Sequence, residues 1–416
     1  MRITLLFLLP PKVSRWTIQI RLVVMAVLLG LAFSTYADRV ELKPGVEGPV
    51  NIRPTASTDQ SPLGTMSQGD SLPHNGSVRF WNGVEMPDGS DGFVSKRLTQ
   101  VVDDPAAETA AWAVHFVDVG TGDGAIIDMG DREIVIDGGN FVNTMRNYND
   151  ANDLIQGPIE LVIVTHADTD HWNGLTRLLG YDGVVDDAPE VLQFWEPGHD
   201  RGCRQSNNYD AFIRNARANV PAAGFKRPLE NHHAPSTATG NLEVLTFTTL
   251  PGVTITVLHT EDQPTATDCS YRINNASIVT MIDIDGVRFL FTGDANGKER
   301  AEASPGTPGH VEQALLAVET AHPGTLAAHV LKAPHHGSET ASTQTFIDAV
   351  NPDFIINSAS TIHHLPRDSV VTRYGLNAPN RIILRTDDNR TSGIDHLVCM
   401  RIEGDLTCNH DDVFNN

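Results

Sequence analysis

The six residues HADTDH carry four side chains able to hold a cation: His166, Asp168, Asp170 and His171. They follow the apolar run LVIVT, so a strand-to-loop turn folds two imidazoles and two carboxylates back on one centre. Both donor types suit zinc, and the oxygens also suit manganese. A polar loop capping a helix, with Asp170 or Asn173 as the cap, is the competing reading of the same letters. Three more strand ends weigh against it. LFTGDA places Asp294 after a glycine, LKAPHHGS places His335 and His336 before one, and TIHHLPRD supplies His363 and His364. Core packing does not account for four separate strand ends that carry His or Asp.

Strands must deliver these residues, and short apolar runs supply them. AVHFVDVG, GAIIDMG and EIVIDGG each end in glycine; LVIVTH, VLQFW, LEVLTFT, VTITVLH, SIVTMIDID, VRFLFTG, HVLKAP and DFIINSA follow. Helical stretches such as GHVEQALLAVETA and TQTFIDAV lie between some of them. Hairpins first and strand-helix alternation later indicate a mixed α/β layered fold, whose two strand-rich halves read as a pair of sheets.

At 416 residues the chain is long enough for two folded units. Its formal net charge of -22, from 52 acidic against 30 basic residues, argues against a protein that coats nucleic acid or anionic membrane indiscriminately. An anionic substrate must therefore be held locally, by metal or a few cations. Residues 1–37 read as a signal peptide or membrane anchor: Arg21 precedes LVVMAVLLGLAF, and Ala37 offers a cleavage point. That run is short of the ~20 apolar residues of a membrane span, so no stable span is expected in the mature form. ITLLFLL, residues 3–9, is a second apolar patch that makes a later start codon an alternative. Four cysteines, Cys203, Cys269, Cys399 and Cys408, are compatible with two disulfides in an exported chain. Cys399 and Cys408 flank MRIEGDLT, whose EGD turn points to a bridge across a hairpin.

Residues 38–101 alternate short apolar pairs with Gly, Pro, Asp and Asn turns, as a small all-β barrel does. VNIRPTAS, PLGTMSQGD and DGFVSKRL together resemble a bacterial SH3-like domain, which implies binding of cell-wall peptide or a protein surface; a packing appendage is the alternative. Residues 102–111 read as an acidic linker, and 112–416 as the second domain.

VHFVDVGTGDGAIID, EIVIDGG, THADTDHWNGL, NNASIVTMIDIDGVRFLFTGDA, LKAPHHGS and RIILRTDDNRTSG resemble, in order, the motifs of the metallo-β-lactamase superfamily. More closely they resemble the hydrolase domain of the ComEC-type DNA-internalisation competence family, over about residues 112–402. The resemblance implies an αββα sandwich with one or two metals at one edge of the facing sheets. It implies that His166 and Asp168 bind the first metal, Asp170 and His171 the second, and that Asp294 bridges them. His335 or His336 would complete a site. His363 or His364 would be a last ligand or a proton donor, with Pro366 favouring His363. Asp123 and Asp137 would orient ligands from behind, or merely cap turns. Lys332 and Ser338 would contact an oxyanion or phosphate, unless Lys332 only lines a strand end. Most of the superfamily has a histidine where Asp168 stands, a replacement the competence branch shares. Another histidine, usual between this motif and GD, has His199 as its best candidate, with His232, His233 and His259 weaker.

The expectation is an exported, secreted or periplasmic hydrolase, associated with membrane or cell wall through its leader or SH3-like module. Zinc, one or two ions, or manganese would acidify water from its bulk pKa of 15.7 toward about 7. Phosphodiesters are the expected substrate, small or nucleic acid, although no basic stripe marks a nucleic-acid groove. A lactone, β-lactam or other ester or amide is the enzymatic alternative; a cell-wall binding protein with a vestigial metal site is the other. Both enzymatic readings require at least about one divalent ion per purified chain. Elemental analysis reads this directly, and a smaller content would contradict both.

Overall fold

The computed structural model describes residues 38–46, 48–78, 80–86, 90–103, 112–184, 187–199, 207–227, 242–264, 266, 268–300, 308–360, 363–387, 396–402 and 404–410. The leader, residues 1–37, lies outside them, as do Cys203, His232 and His233. The chain divides into two compact units, Met1–Thr109 and Ala110–Asn416. Among the described residues, no helix is long and apolar enough to cross a membrane.

The described residues of the first unit form only β-strands and the turns between them: β1 (Asp38–Leu42), β2 (Val50–Ile52), β3 (Gly64–Met66), β4 (Ser71–Val78), β5 (Trp81–Glu85), β6 (Asp91–Ser95) and β7 (Thr99–Asp103). Five strands form a sheet in the order β6-β5-β4-β1-β7, and β2 pairs with β3. Alternation buries Val50 and Ile52 of β2 and Val94 of β6 against Val40, Leu42, Met66 and Val84. β7 continues past the expected linker start at residue 102, because its register with β1 runs on to Asp38↔Asp103.

The second unit begins with β8 (Ala113–Phe116), β9 (Gly124–Asp128), β10 (Glu133–Gly138), α1 (Thr144–Asn152), β11 (Ile159–Ile163), α2 (Thr169–Trp172) and α3 (Leu175–Leu178). Next come β12 (Phe194–Trp195), α4 (Asn207–Asn219), β13 (Phe225–Lys226), β14 (Glu243–Thr246), β15 (Val253–His259), α5 (Cys269–Asn275), β16 (Val279–Ile284), β17 (Val287–Phe291) and α6 (His310–Ala321). It closes with β18 (Val330–Lys332), a single 3-10 turn (Pro334–Gly337), α7 (Gln344–Val350), β19 (Phe354–Asn357), α8 (Asp368–Gly375), β20 (Ile382–Arg385), β21 (Leu397–Ile402) and β22 (Asp405–His410).

An eight-stranded sheet, β13-β12-β11-β10-β9-β8-β21-β22, and a seven-stranded sheet, β14-β15-β16-β17-β18-β19-β20, share one core. Strand alternation builds the layers. Ile134, Ile136, Leu161 and Ile163 of the first sheet face Ile255, Ile282, Phe289 and Phe291 of the second. Val135 and Val162, one residue out of phase, pack instead with Met145 and Tyr148 of α1 and Phe212 of α4. Val279, Met281 and Leu331 likewise cover α6, α7 and α8 through Leu315, Phe346 and Tyr374. The result is helix, sheet, sheet, helix. Cys399 and Cys408 stand opposite each other in the β21–β22 hairpin and are bridged, as their flanking turn suggests. Cys269 is also disulfide-bonded.

β10 runs parallel to β11, and β17 to β18, so each pair delivers its C-terminal loops to one sheet edge. The sheets are tied there by Ile278 N donating to the Thr165 carbonyl at 2.9 Å. Aromatic rings fix the inter-sheet spacing beneath: Phe289 meets Trp112 edge-on at 5.7 Å, and Phe116 stacks on Phe291 at 5.7 Å. Phe289→Ala is expected to cost about 3–5 kcal/mol in denaturant unfolding, and a loss under about 1 kcal/mol would contradict a core shared between the sheets.

Candidate metal centre

Each loop at this edge is shaped by a backbone feature that aims a side chain inward. Next to the last residue of β10 stands Asp137, whose φ of 56° is left-handed. The carboxylate, fully buried, accepts from Thr165 N at 2.8 Å, Thr165 Oγ1 at 2.7 Å and His171 Nδ1 at 2.8 Å. After β11, Asp168 starts the short α2, which turns His171 into the interior. Trp172 anchors that helix on the other side, stacked on Phe212 at 5.2 Å. Gly122 allows the β8–β9 loop to lie on this turn: a Cβ there would stand 1.7 Å from the Asp170 carbonyl oxygen. Asp123 N donates to that same oxygen at 3.2 Å.

The PHHG turn places two consecutive non-glycine residues in left-handed backbone. His335 (φ 48°) and His336 (φ 54°) are both left-handed, a conformation that costs roughly 1–2 kcal/mol per non-glycine residue. Strain of this kind concentrates where function demands it. Here it sends two consecutive imidazoles to different places. His336 Nδ1 lies 2.9 Å from the Ser358 carbonyl and 3.1 Å from Asp123 Oδ1. His335 Nδ1 lies 3.2 Å from Asn296 Oδ1 and 3.0 Å from Thr340 Oγ1.

Asp294 stands between them, and its oxygens divide the imidazoles into pairs. Oδ1 is 3.3 Å from both His171 Nε2 and His336 Nε2. Oδ2 is 3.9 Å from His166 Nε2 and 3.7 Å from His335 Nε2. Asp168 Oδ2 adds to the second pair, 3.9 Å from His166 Nε2, and Asp170 Oδ2 to the first, 3.8 Å from His336 Nε2. His166 Nδ1 faces Thr165 Oγ1 at 3.1 Å. That hydroxyl already donates to Asp137, so it accepts from His166.

The donor set fits a cation. His166 Nε2, His171 Nε2, His336 Nε2 and Asp294 Oδ1 are buried without a hydrogen-bond partner, a state that costs about 1–3 kcal/mol for each group left so. Groups of three donor atoms with metal-site spacing include His166, His171 and Asp294; Asp170, His171 and His336; and Asp123, Asp294 and His336. Electrostatics agree. Burial pushes His166 well below the usual histidine range. Against the same burial, Asp294 and Asp137 raise His171 well above that range, while Asp294 and Asp123 hold His336 up at about 10. The carboxylates thus draw protons onto ring nitrogens where positive charge is wanted.

The other expected residues take different places. Lys332 is buried, ion-paired with Asp123 and donating to the Gly293 carbonyl at 3.1 Å, so its charge is spent inside the protein. With His336, it holds the Asp123 carboxyl down at about 2 despite burial. Ser338 is buried, its Oγ 3.1 Å from Thr340 Oγ1. His363 and His364 are exposed and belong to none of the donor groups formed among the described residues. Their loop is nonetheless held beside the PHHG turn: Arg367 N donates to the Gly337 carbonyl at 3.0 Å, and a Cβ on Gly337 would stand 2.3 Å from Pro366. His199 Nδ1 lies 3.3 Å from the Asp262 carbonyl, and buried His259 lies 3.0 Å from that of Ser277. Neither joins the donor groups. Thr165, Ser358, Thr340, Asn274 and Asn296 were not singled out by sequence reasoning. Only the adjacency of Thr165 to His166, and the placement of the asparagines in NNAS and GDAN, hints at them.

The family described as "Metallo-beta-lactamase superfamily" matches residues 118–354, more than half of the chain. No curated protein matches. Among solved structures, CmlA, a diiron beta-hydroxylase from Streptomyces venezuelae, is 11% identical over 68% of this chain and 54% of its own, with a TM-score of 0.36. A metallo beta lactamase from Hirschia baltica is 17% identical over 53% and 85%, at 0.28. MEM-A1, a subclass B3 metallo-beta-lactamase from a soil metagenome library, is 12% identical over 58% and 90%, at 0.32.

An ion bound among these donors must displace the protons on His171 and His336. Zinc titration of metal-free protein near neutral pH is expected to release at least about one proton per chain, giving heat that scales with the ionisation enthalpy of the buffer. Affinity should rise about tenfold per pH unit for each proton released. Heat independent of buffer would contradict this electrostatic reading.

Proposed function

The chain belongs to the metallo-beta-lactamase superfamily of metal-dependent hydrolases, and on that premise we propose that it is an exported two-metal enzyme that hydrolyses phosphodiesters. The division of Asp294 carries the two-metal reading. In it, His166, Asp168 and His335, on the Oδ2 side of Asp294, would hold one ion, and Asp170, His171 and His336, on the Oδ1 side, would hold the other. Zinc or manganese held there would supply Lewis acidity toward the scissile group and the attacking water.

The protein's own groups do the rest. Thr165, Asp137 and Ser358 accept the Nδ1 protons of His166, His171 and His336, which leaves each Nε2 as a lone pair toward the centre. Asp123 supports His336 from behind, and Lys332 keeps that carboxylate ionised. His363 or His364, exposed on the loop held against Gly337, protonates the leaving oxygen.

Phosphodiesters are favoured over β-lactams by the carboxylate-rich set, with Asp168 where most of the superfamily has histidine, and by the resemblance to the competence-type branch. Three aspartates beside four histidines also admit manganese. With a net charge of -22, the chain is suited to small phosphodiesters, or to nucleic acid held only at the site. Export is supported by the leader pattern and by the Cys399–Cys408 disulfide. For the all-β first unit we propose an SH3-like module that holds the enzyme to cell-wall peptide or a protein partner.

Turnover of bis-p-nitrophenyl phosphate, nitrocefin and a lactone, each with and without added Zn²⁺ or Mn²⁺, tests the reading. Metal-dependent phosphodiester cleavage is expected, reduced roughly 100-fold or more in Asp294→Asn and Asp170→Ala. Turnover of nitrocefin or the lactone alone would assign a different bond. Tight metal binding with no turnover would identify a binding protein with a vestigial site.

A further inference from the structure

His335 is contested by two amides. On its Nε2 side lies Asn274, whose nitrogen faces Asp168 Oδ2 at 3.2 Å and the Ser270 carbonyl at 3.1 Å, the orientation that pairs a donor with acceptors. The other amide atom, 3.3 Å from His335 Nε2, is then the oxygen, which asks for a proton there. On the Nδ1 side lie Asn296 Oδ1 and the Thr340 hydroxyl. A hydroxyl accepts or donates, so Thr340 does not decide between tautomers; Asn296 does.

Asn296 is oriented from behind. Its Nδ2 donates to Asn275 Oδ1 at 3.0 Å, Asn275 Nδ2 meets His310 Nδ1 at 3.1 Å, and His310 Nε2 stands 3.3 Å from Glu299 Oε1. An ionised carboxylate only accepts, so the His310 proton sits on Nε2 and its Nδ1 is left to accept from Asn275. The direction of every later bond follows, ending with Asn296 Oδ1 accepting from His335. His310 is held in place by its left-handed backbone, φ 47°, and by stacking on Tyr271 at 5.5 Å. Asn274, Asn275 and Asn296 are all buried, which keeps water from competing for their amides.

We propose that Glu299, His310, Asn275 and Asn296 form a one-way hydrogen-bond chain that keeps the His335 proton on Nδ1 against the pull of Asn274, leaving Nε2 as a lone pair toward Asp294. These are positioning residues. The consequence for metal rests on the two-metal reading above; the tautomer itself does not.

Long-range ¹H–¹⁵N spectra of the metal-free, full-length protein with labelled histidine read the tautomer directly. The wild type and Asn274→Ala are expected to carry the His335 proton on Nδ1. In Asn296→Leu, Asn274 is unopposed and the proton moves to Nε2; Asn296→Asp restores Nδ1. Zinc affinity at the site holding His335 falls about 10–100-fold in Asn296→Leu and recovers in Asn296→Asp. Glu299→Gln, a change at a partly exposed side chain that spares the core, shifts part of the population to Nε2. A wild-type proton on Nε2, or a tautomer unmoved by both Asn296→Leu and Glu299→Gln, would overturn the proposal. Should Asn296→Leu not fold, Glu299→Gln alone decides. Failure to bind zinc would overturn the metal reading only.

Discussion

Four imidazoles meet at one edge of the sandwich, and what each can do there depends on which ring nitrogen carries its proton. Thr165, Asp137 and Ser358 each offer an oxygen to the Nδ1 of one ring. The remaining Nε2 atoms of His166, His171 and His336 then face inward without a partner, against a buried carboxylate whose own Oδ1 also lacks one. Two cations, one on each side of Asp294, would satisfy all four of these atoms. Asp294, with Asp137 beside His171 and Asp123 beside His336, raises both rings above the usual histidine range despite their burial.

Much of the second unit can be understood as holding that arrangement. Parallel strand pairs in both sheets bring their loop ends to the same edge, and the Ile278–Thr165 backbone bond joins the sheets beside His166. Gly293, at φ 50°, lets the turn before Asp294 approach Thr165 and Ser277, where a Cβ would stand 2.9 Å from both. The two consecutive left-handed histidines of the PHHG turn are a costly local feature, at roughly 1–2 kcal/mol each. Their strain is sustained by Ser358, Asn296 and Thr340 on the rings and by the His335 N to Gly293 carbonyl bond of 3.1 Å.

Layering was legible in the sequence because it is local. Alternation in EIVID and LVIVT separates residues that face the other sheet from residues that face helices, and HADTDH, TGDA and PHHGS name the loops that converge. The cross-hairpin disulfide was legible for the same reason, since the EGD turn fixes which residues stand opposite. Pairings made across the fold were not. Adjacent letters His335 and His336 attend opposite oxygens of Asp294 because of two positive φ angles, which no side-chain pattern announces. Lys332 and Asp123 are remote in sequence, and only the meeting of β18 with the β8–β9 loop turns Lys332 from a candidate substrate contact into the partner of a buried carboxylate. VLQFW resembles a strand of ordinary length, yet only Phe194 and Trp195 join the sheet, with Val191 making an isolated bridge to Ile159.

In the proposed centre Asp294 is shared by two ions, each held by a different half of the histidine set. Crystals of the manganese-loaded protein, with data collected on either side of the manganese absorption edge, test it most directly. Two anomalous peaks are expected about 3.5–4 Å apart, one beside His166 and His335, the other beside His171 and His336, with one Asp294 oxygen on each. A single peak, or two peaks bound without Asp294, would contradict it.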